Sequence, residues 1–298
     1  MAHQSATLDV IMPTDAMGEL PAVRSIAPAE LVEVLREGLE DFWAMPTHVL
    51  FLGVIYPVAG LVIGAATLQY NIIPLLYPLA AGFALIGPFA AIGLYELSRR
   101  REAGLDSSTS HAFDVLHSPS LGAIVALGLL LMAIFLIWIA VADAIYIAYF
   151  GYHGPASVTQ FIGDVLHTRA GWMLIVVGTG VGFLFAVLVL TISAISFPLL
   201  LDRDVGAAVA VLTSIRVVAR NPLTMALWGF IVAALLVLGS IPFFLGLTVV
   251  MPVLGHATWH LYRRAVEPDA NPHPDYQPRE RPRRFAADFP AALFPTRR

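Results

Sequence analysis

The chain of 298 residues is 58% hydrophobic and only 13% charged, with a formal net charge of −4. A soluble domain carries roughly a quarter of charged residues, and here the apolar residues come in runs of twenty or more, which excludes a soluble globular fold. The absence of cysteine and lysine removes disulfides, thiolate chemistry, Schiff-base lysines and a phosphate-loop lysine.

The first 24 residues hold Asp9, Asp15 and Glu19 against one arginine, Arg24. They lack a basic region followed by an apolar core, so they do not read as a signal peptide. Residues 1–27 are expected to be a disordered cytoplasmic arm. A helix is expected over 28–45: Pro28 suits the first helical position and Glu30 the first turn. Leu31, Leu35, Leu39 and Phe42 give it an apolar stripe. Glu30, Glu33, Glu37, Glu40 and Asp41 against Arg36 make its other face acidic. Anionic lipid repels such a face, so the helix is expected to pack on arginines of its own bundle or on a basic protein partner, with a solvated acidic face that has no partner as an equal alternative.

Six spans follow, at about 49–68, 74–95, 121–149, 171–200, 222–241 and 243–262. They form three hairpins, each entered from a polar helical stretch ending in proline: Asp41 to Pro46, Asp114 to Pro119 and Val217 to Pro222. The expected class is an all-α membrane protein of six transmembrane helices in three hairpins, each preceded by a short interfacial cytoplasmic helix. The third such helix, from Asp204 to Arg220, is basic and suits anionic lipid at the cytoplasmic face. The membrane domain spans 28–266. The tail, 267–298, holds seven prolines and six arginines and is expected to be disordered. Sixteen of the 17 arginines fall on one side of this arrangement, Arg169 alone on the other. The positive-inside rule then places both termini in the cytoplasm. Pro88 lies eleven residues before Arg99 and Pro252 eleven before Arg263. With Pro198 they mark expected helix kinks and suggest three internal repeats.

Ionisable groups at membrane depth are the candidate functional residues. Asp143, near the end of the third span, and Arg169, opening the fourth, suggest an intramembrane ion pair. The plain alternative is a carboxylate reaching to water. His256 and His260, one helical turn apart, together with Glu96, suggest a polar mouth at the cytoplasmic end. They lack the pattern of a metal site, and no metal or other cofactor is expected. Gly178, Gly180 and Gly182 suggest close helix contact. No catalytic constellation and no nucleic-acid motif is found.

The blocks Leu39 to Pro46, Gly82 to Pro88 with Gly93 to Arg100, Pro198 to Asp204 and Gly255 to Tyr262 occur in order. Together they resemble the bacterial integral-membrane family catalogued as domain of unknown function 2189, over about residues 25–266. The resemblance implies a multi-pass protein of the bacterial inner membrane and carries no reaction. The first functional expectation is therefore a non-enzymatic permease for a small solute or ion, its axis lined by Thr191, Ser193 and Ser196. The alternative is a membrane scaffold recruiting a partner through the 28–45 helix. A metal- or haem-binding membrane enzyme ranks last. A continuous polar path favours the first reading, and a dry packed interior the second.

Overall fold

A backbone in hydrocarbon has no partner but itself, so long apolar runs must fold as helices. The computed structural model has them. It describes residues 20–45, 60, 73–75, 78–79, 87–152, 154–155, 157–242 and 245–269. The chain divides into two units, 1–268 and 269–298, and the second lies almost wholly outside the described residues. Among the described residues the structure is helical, with one isolated antiparallel bridge between Val23 and Val266. The main helices are α1 (Glu30–Ala44), α2 (Ile92–Glu102), α3 (Leu121–Phe150), α4 (Val158–His167), α5 (Arg169–Ser193), α6 (Ser196–Asp202), α7 (Ala207–Arg220), α8 (Pro222–Ser240) and α9 (Leu247–Ala265).

Among the described residues three helical stretches are long and apolar enough to cross a membrane: α3, α5 continuing through α6, and α8. They match the expected third, fourth and fifth spans. The expected span 49–68 lies outside the described residues except at Gly60. Of 74–95 only short pieces and the start of α2 are described. The helix of the expected sixth span is present as α9 but falls short of that apolarity. Its second half carries His256, Thr258, His260, Arg263 and Arg264 and is largely buried against protein.

Helices occupy the three stretches where the sequence places interfacial ones: α1, a 3-10 helix at Thr109–His117, and α7. α1 is not a surface-lying helix, however. It runs antiparallel along the second half of α9, Glu30 lying toward Arg264 and Asp41 toward His260. A Cβ on Gly38 would stand 2.7 Å from both Cβ and N of Ala257. The bare glycine is what lets the two backbones approach. The buried face is therefore Leu31, Val34, Gly38, Asp41 and Phe42. The expected stripe through Leu35 and Leu39 is rotated, and Leu39 and Trp43 are exposed.

Residues 22–26, assigned from the sequence to a disordered arm, are held by backbone pairing. Arg24 N donates to Ala265 O (2.8 Å), and Glu267 N donates to Ala22 O (3.0 Å). On the other side Asn221, between α7 and α8, accepts from Ile26 N (2.7 Å) and donates to Arg24 O (3.0 Å). Thr224 donates to Ile26 O (2.8 Å). Asn221 thus gives its side chain to an extended segment nearly 200 positions earlier, rather than to the start of its own helix.

The three prolines act differently. Pro88 lies in a helical turn, Gly87–Ala90, that breaks at Ala91 before α2. Pro198 lies in α6, just past a break at Ala194 and Ile195. Pro252 sits inside the continuous α9. Of Gly178, Gly180 and Gly182, only Gly182 meets a neighbour among the described residues, Trp138 of α3. Gly178 and Gly180 face open space.

Candidate functional site

The second halves of these helices converge at the arginine-rich end of the bundle on one buried acid. Asp41 of α1 is 2% exposed. Its Oδ2 accepts from Ser98 Oγ (2.5 Å) on α2 and from His260 Nε2 (2.9 Å) on α9. Its Oδ1 accepts from Arg101 of α2. Burial pushes the Asp41 carboxyl up. The hydrogen bonds from His260 and Ser98, with the two imidazoles close by, outweigh that and hold it below the usual carboxylate range.

Ser98 continues the chain: its Oγ lies 2.6 Å from Nδ1 of His256, which is wholly buried. A hydroxyl has one proton, and Ser98 donates it to Asp41. His256 must then donate from Nδ1 to Ser98, which leaves Nε2 as an acceptor. That atom is the one buried side-chain polar atom without a partner among the described residues. The relay runs His256 to Ser98 to Asp41. The serine at its centre is a bridge, and its 1% exposure leaves no approach for a substrate.

Ion pairs surround the node. Arg264 forks onto Glu37 (2.6 and 2.8 Å), which raises its guanidinium above the ordinary arginine value. Trp259 Nε1 donates to Glu102 (2.8 Å), and Arg263 Nε donates to the other oxygen of that carboxylate (2.9 Å). Tyr262 donates to Asp202 (2.6 Å), which also lies 3.7 Å from Arg263. Beside the node opens a cavity of about 410 Å³, lined by Glu37, Glu40, Asp41, Arg101, Glu102, His260, Arg263 and Arg264.

The acidic helix sets Asp41 and Glu37 on Arg101 and Arg264 of its own bundle, while Glu33 and Glu40 stay exposed beside Arg36. Of the expected mouth, His256 and His260 both turn to Asp41. Glu96, 3% exposed, instead forks onto Arg99 (2.8 and 2.9 Å) and lies 3.7 Å from Arg100. The three do not gather at one point. Among the described residues no three His, Asp or Glu side chains are arranged to hold a metal ion. Asp143 and Arg169 are not brought together: among the described residues neither side chain makes a hydrogen bond or ion pair within 4 Å. The reason is depth. Asp143 lies seven residues before the end of α3, about 10 Å down the helix axis. Arg169 opens α5 only after the intervening helix α4, which the hydropathy reading missed.

Asp41, Ser98 and Arg101 were absent from the sequence candidates. The available signal was position: Asp41 falls seven residues after Val34 and three after Gly38, on the face that packs. The hydroxyls of the proposed axis are spent locally. Thr191, Ser193 and Ser196 donate to the carbonyls of Val187, Val189 and Ile192, one turn back on their own helix (2.6–2.7 Å).

No curated protein and no solved structure matches the chain. A family model does match, over residues 76–202, which includes the Gly82 to Arg100 block and the Pro198 block up to Asp202 but not the blocks at 39–46 and 255–262. Its description is predicted integral membrane protein, DUF2189, and the match covers that segment, less than half of the chain.

Proposed function

We propose that the protein is a multi-pass, non-enzymatic inner-membrane scaffold with both termini in the cytoplasm. Its working part is then the ion-paired helical junction at the arginine-rich end, rather than a pore. The carrying observation is the Asp41 node, which joins α1, α2 and α9 through buried side chains while the hydroxyls of α5 and α6 serve nearby backbone carbonyls. The outward acids Glu33 and Glu40, bridged by Arg36, are what α1 still offers a partner. Placing the termini inside follows from the arginine distribution. Six spans, one pair per hairpin, and the threefold proline pattern belong to the same reading.

A permease for a small solute or ion is the second reading. It is favoured by the 410 Å³ polar cavity that His260 lines, a form that suits an entrance.

The absence of cysteine makes both testable without background. Single cysteines at 104 and 267 should react with an impermeant maleimide only in opened cells, and one at 156 in intact cells. Labelling at 156 only from the inside overturns the topology. In proteoliposomes, the scaffold reading expects proton and potassium flux equal to that of empty vesicles. Flux above that level which His260→Ala alters replaces it with the permease.

A further inference from the structure

We propose that the groove between α3 and α7 binds one anionic phospholipid, an acyl chain lying in the groove and the phosphate on Arg216. The groove has a volume of about 430 Å³ and is lined only by apolar side chains, chiefly Leu127, Leu130, Ala207, Val211, Leu212 and Ile215. Leu127 and Leu130 lie six and nine residues into α3, about 9–14 Å along its axis, within one leaflet of hydrocarbon. The alanines and Gly206, whose φ of 77° only glycine adopts readily, keep the start of α7 thin.

α7 has two faces. Val209, Ala210, Thr213, Ser214 and Val217 are buried against the bundle. Leu212 and Ile215 are 43% and 38% exposed, and Arg216 stands one helical turn beyond Leu212 on that outer side. The helix holds Arg216 and Arg220 and no acid. Among the described residues at the arginine-rich end, Arg216 is the one arginine with no hydrogen bond or ion pair. A cation unpaired among the described residues beside an apolar groove at membrane depth matches one ligand with an anion at its head and a hydrocarbon tail. The cytoplasmic leaflet supplies such molecules. The inference rests on α3 crossing the membrane and is independent of the scaffold and permease readings.

The test uses the full chain in mild detergent, with palmitoyl-oleoyl phosphatidylglycerol as probe and phosphatidylcholine of the same chains as control. Native mass spectrometry should show the anionic lipid retained about fivefold over the control. Arg216→Gln, at an exposed and unpaired position, should leave folding intact and abolish that preference, and Arg216→Lys should largely restore it. Ala208→Trp should fill the groove and displace both lipids. Equal retention of the two lipids by wild type, or an undiminished preference in Arg216→Gln, overturns the proposal. So does a dimer that Ala208→Trp dissociates while Arg216→Gln leaves it intact, since the groove would then hold a second copy of the chain.

Discussion

Asp41→Asn keeps the volume of the side chain and removes its charge, which makes it the sharpest probe of the node. Asparagine has one acceptor oxygen where the carboxylate used two, and its amide nitrogen would face a donor. The three donors respond differently. Arg101 is 41% exposed and can turn to water, so its loss counts for little. His260 is 17% exposed and recovers in part. Ser98 has no such escape. One charge-assisted bond of roughly 1.5–3 kcal/mol is lost and one buried donor of about 1–3 kcal/mol is left unmatched. Relief from burying a carboxylate returns part of this. The net cost is about 3 kcal/mol, or roughly a hundredfold in the folded-to-unfolded ratio. Trp259, which contacts the adjacent Glu102, gives a fluorescence signal for unfolding in mixed micelles titrated with dodecyl sulfate. A variant within about 0.5 kcal/mol of wild type refutes the reading of Asp41 as the joint of the three helices.

The same carboxyl sets an acid limit. Its native pKa is held down, so the unfolded chain takes up the proton first as pH falls. Its contribution is whole above about pH 4 and is lost as pH drops through the native value. Unfolding midpoints measured from pH 7 to 3 should therefore decline less for Asp41→Asn than for wild type. Gly38→Leu should cost about 1–3 kcal/mol by forcing α1 off Ala257. Proteolysis of the α1 segment then becomes faster, and unchanged protease resistance would argue against the close crossing. Asp143→Asn and Arg169→Gln should have additive effects on stability, since the two groups do not meet. A coupling energy above about 0.5 kcal/mol in the double variant would contradict that separation.

The spans at α3, α5 and α8 were legible because a long uninterrupted apolar run needs no tertiary knowledge to interpret. α1 was legible as a helix but its packed face was not. Hydrophobic counting rewards Leu35 and Leu39 and gives nothing for Gly38 or Asp41, yet close approach needs the glycine and the node needs the acid. The pairing of residues 22–26 was invisible, because it uses backbone groups and any sequence can supply those. At the site, the i, i+4 spacing of His256 and His260 puts both on the face of α9 that meets Asp41. Their partner lay more than 200 positions away, and no local pattern indicates such a contact.

Two of the converging helices end on an acid: α2 on Glu102 and α6 on Asp202. The helix dipole disfavours a negative charge at a C-terminus, which Arg99, Arg100 and Arg101 in the last turn of α2 and Arg203 beside Asp202 offset in part. α9 adds further partners to both acids. Arg263 lies within 4 Å of each carboxylate, while Trp259 and Tyr262 donate one hydrogen bond apiece to Glu102 and Asp202. The ends of α2 and α6 are thus completed by a helix that follows them in sequence. With α1 docked on the opposite side of α9 through Asp41 and Glu37, that one helix contacts pieces of every other part of the junction. α9 falls short of the apolarity of a membrane span for this reason. The histidines, arginines and aromatic donors that lower its hydropathy are the groups on which three other helices close.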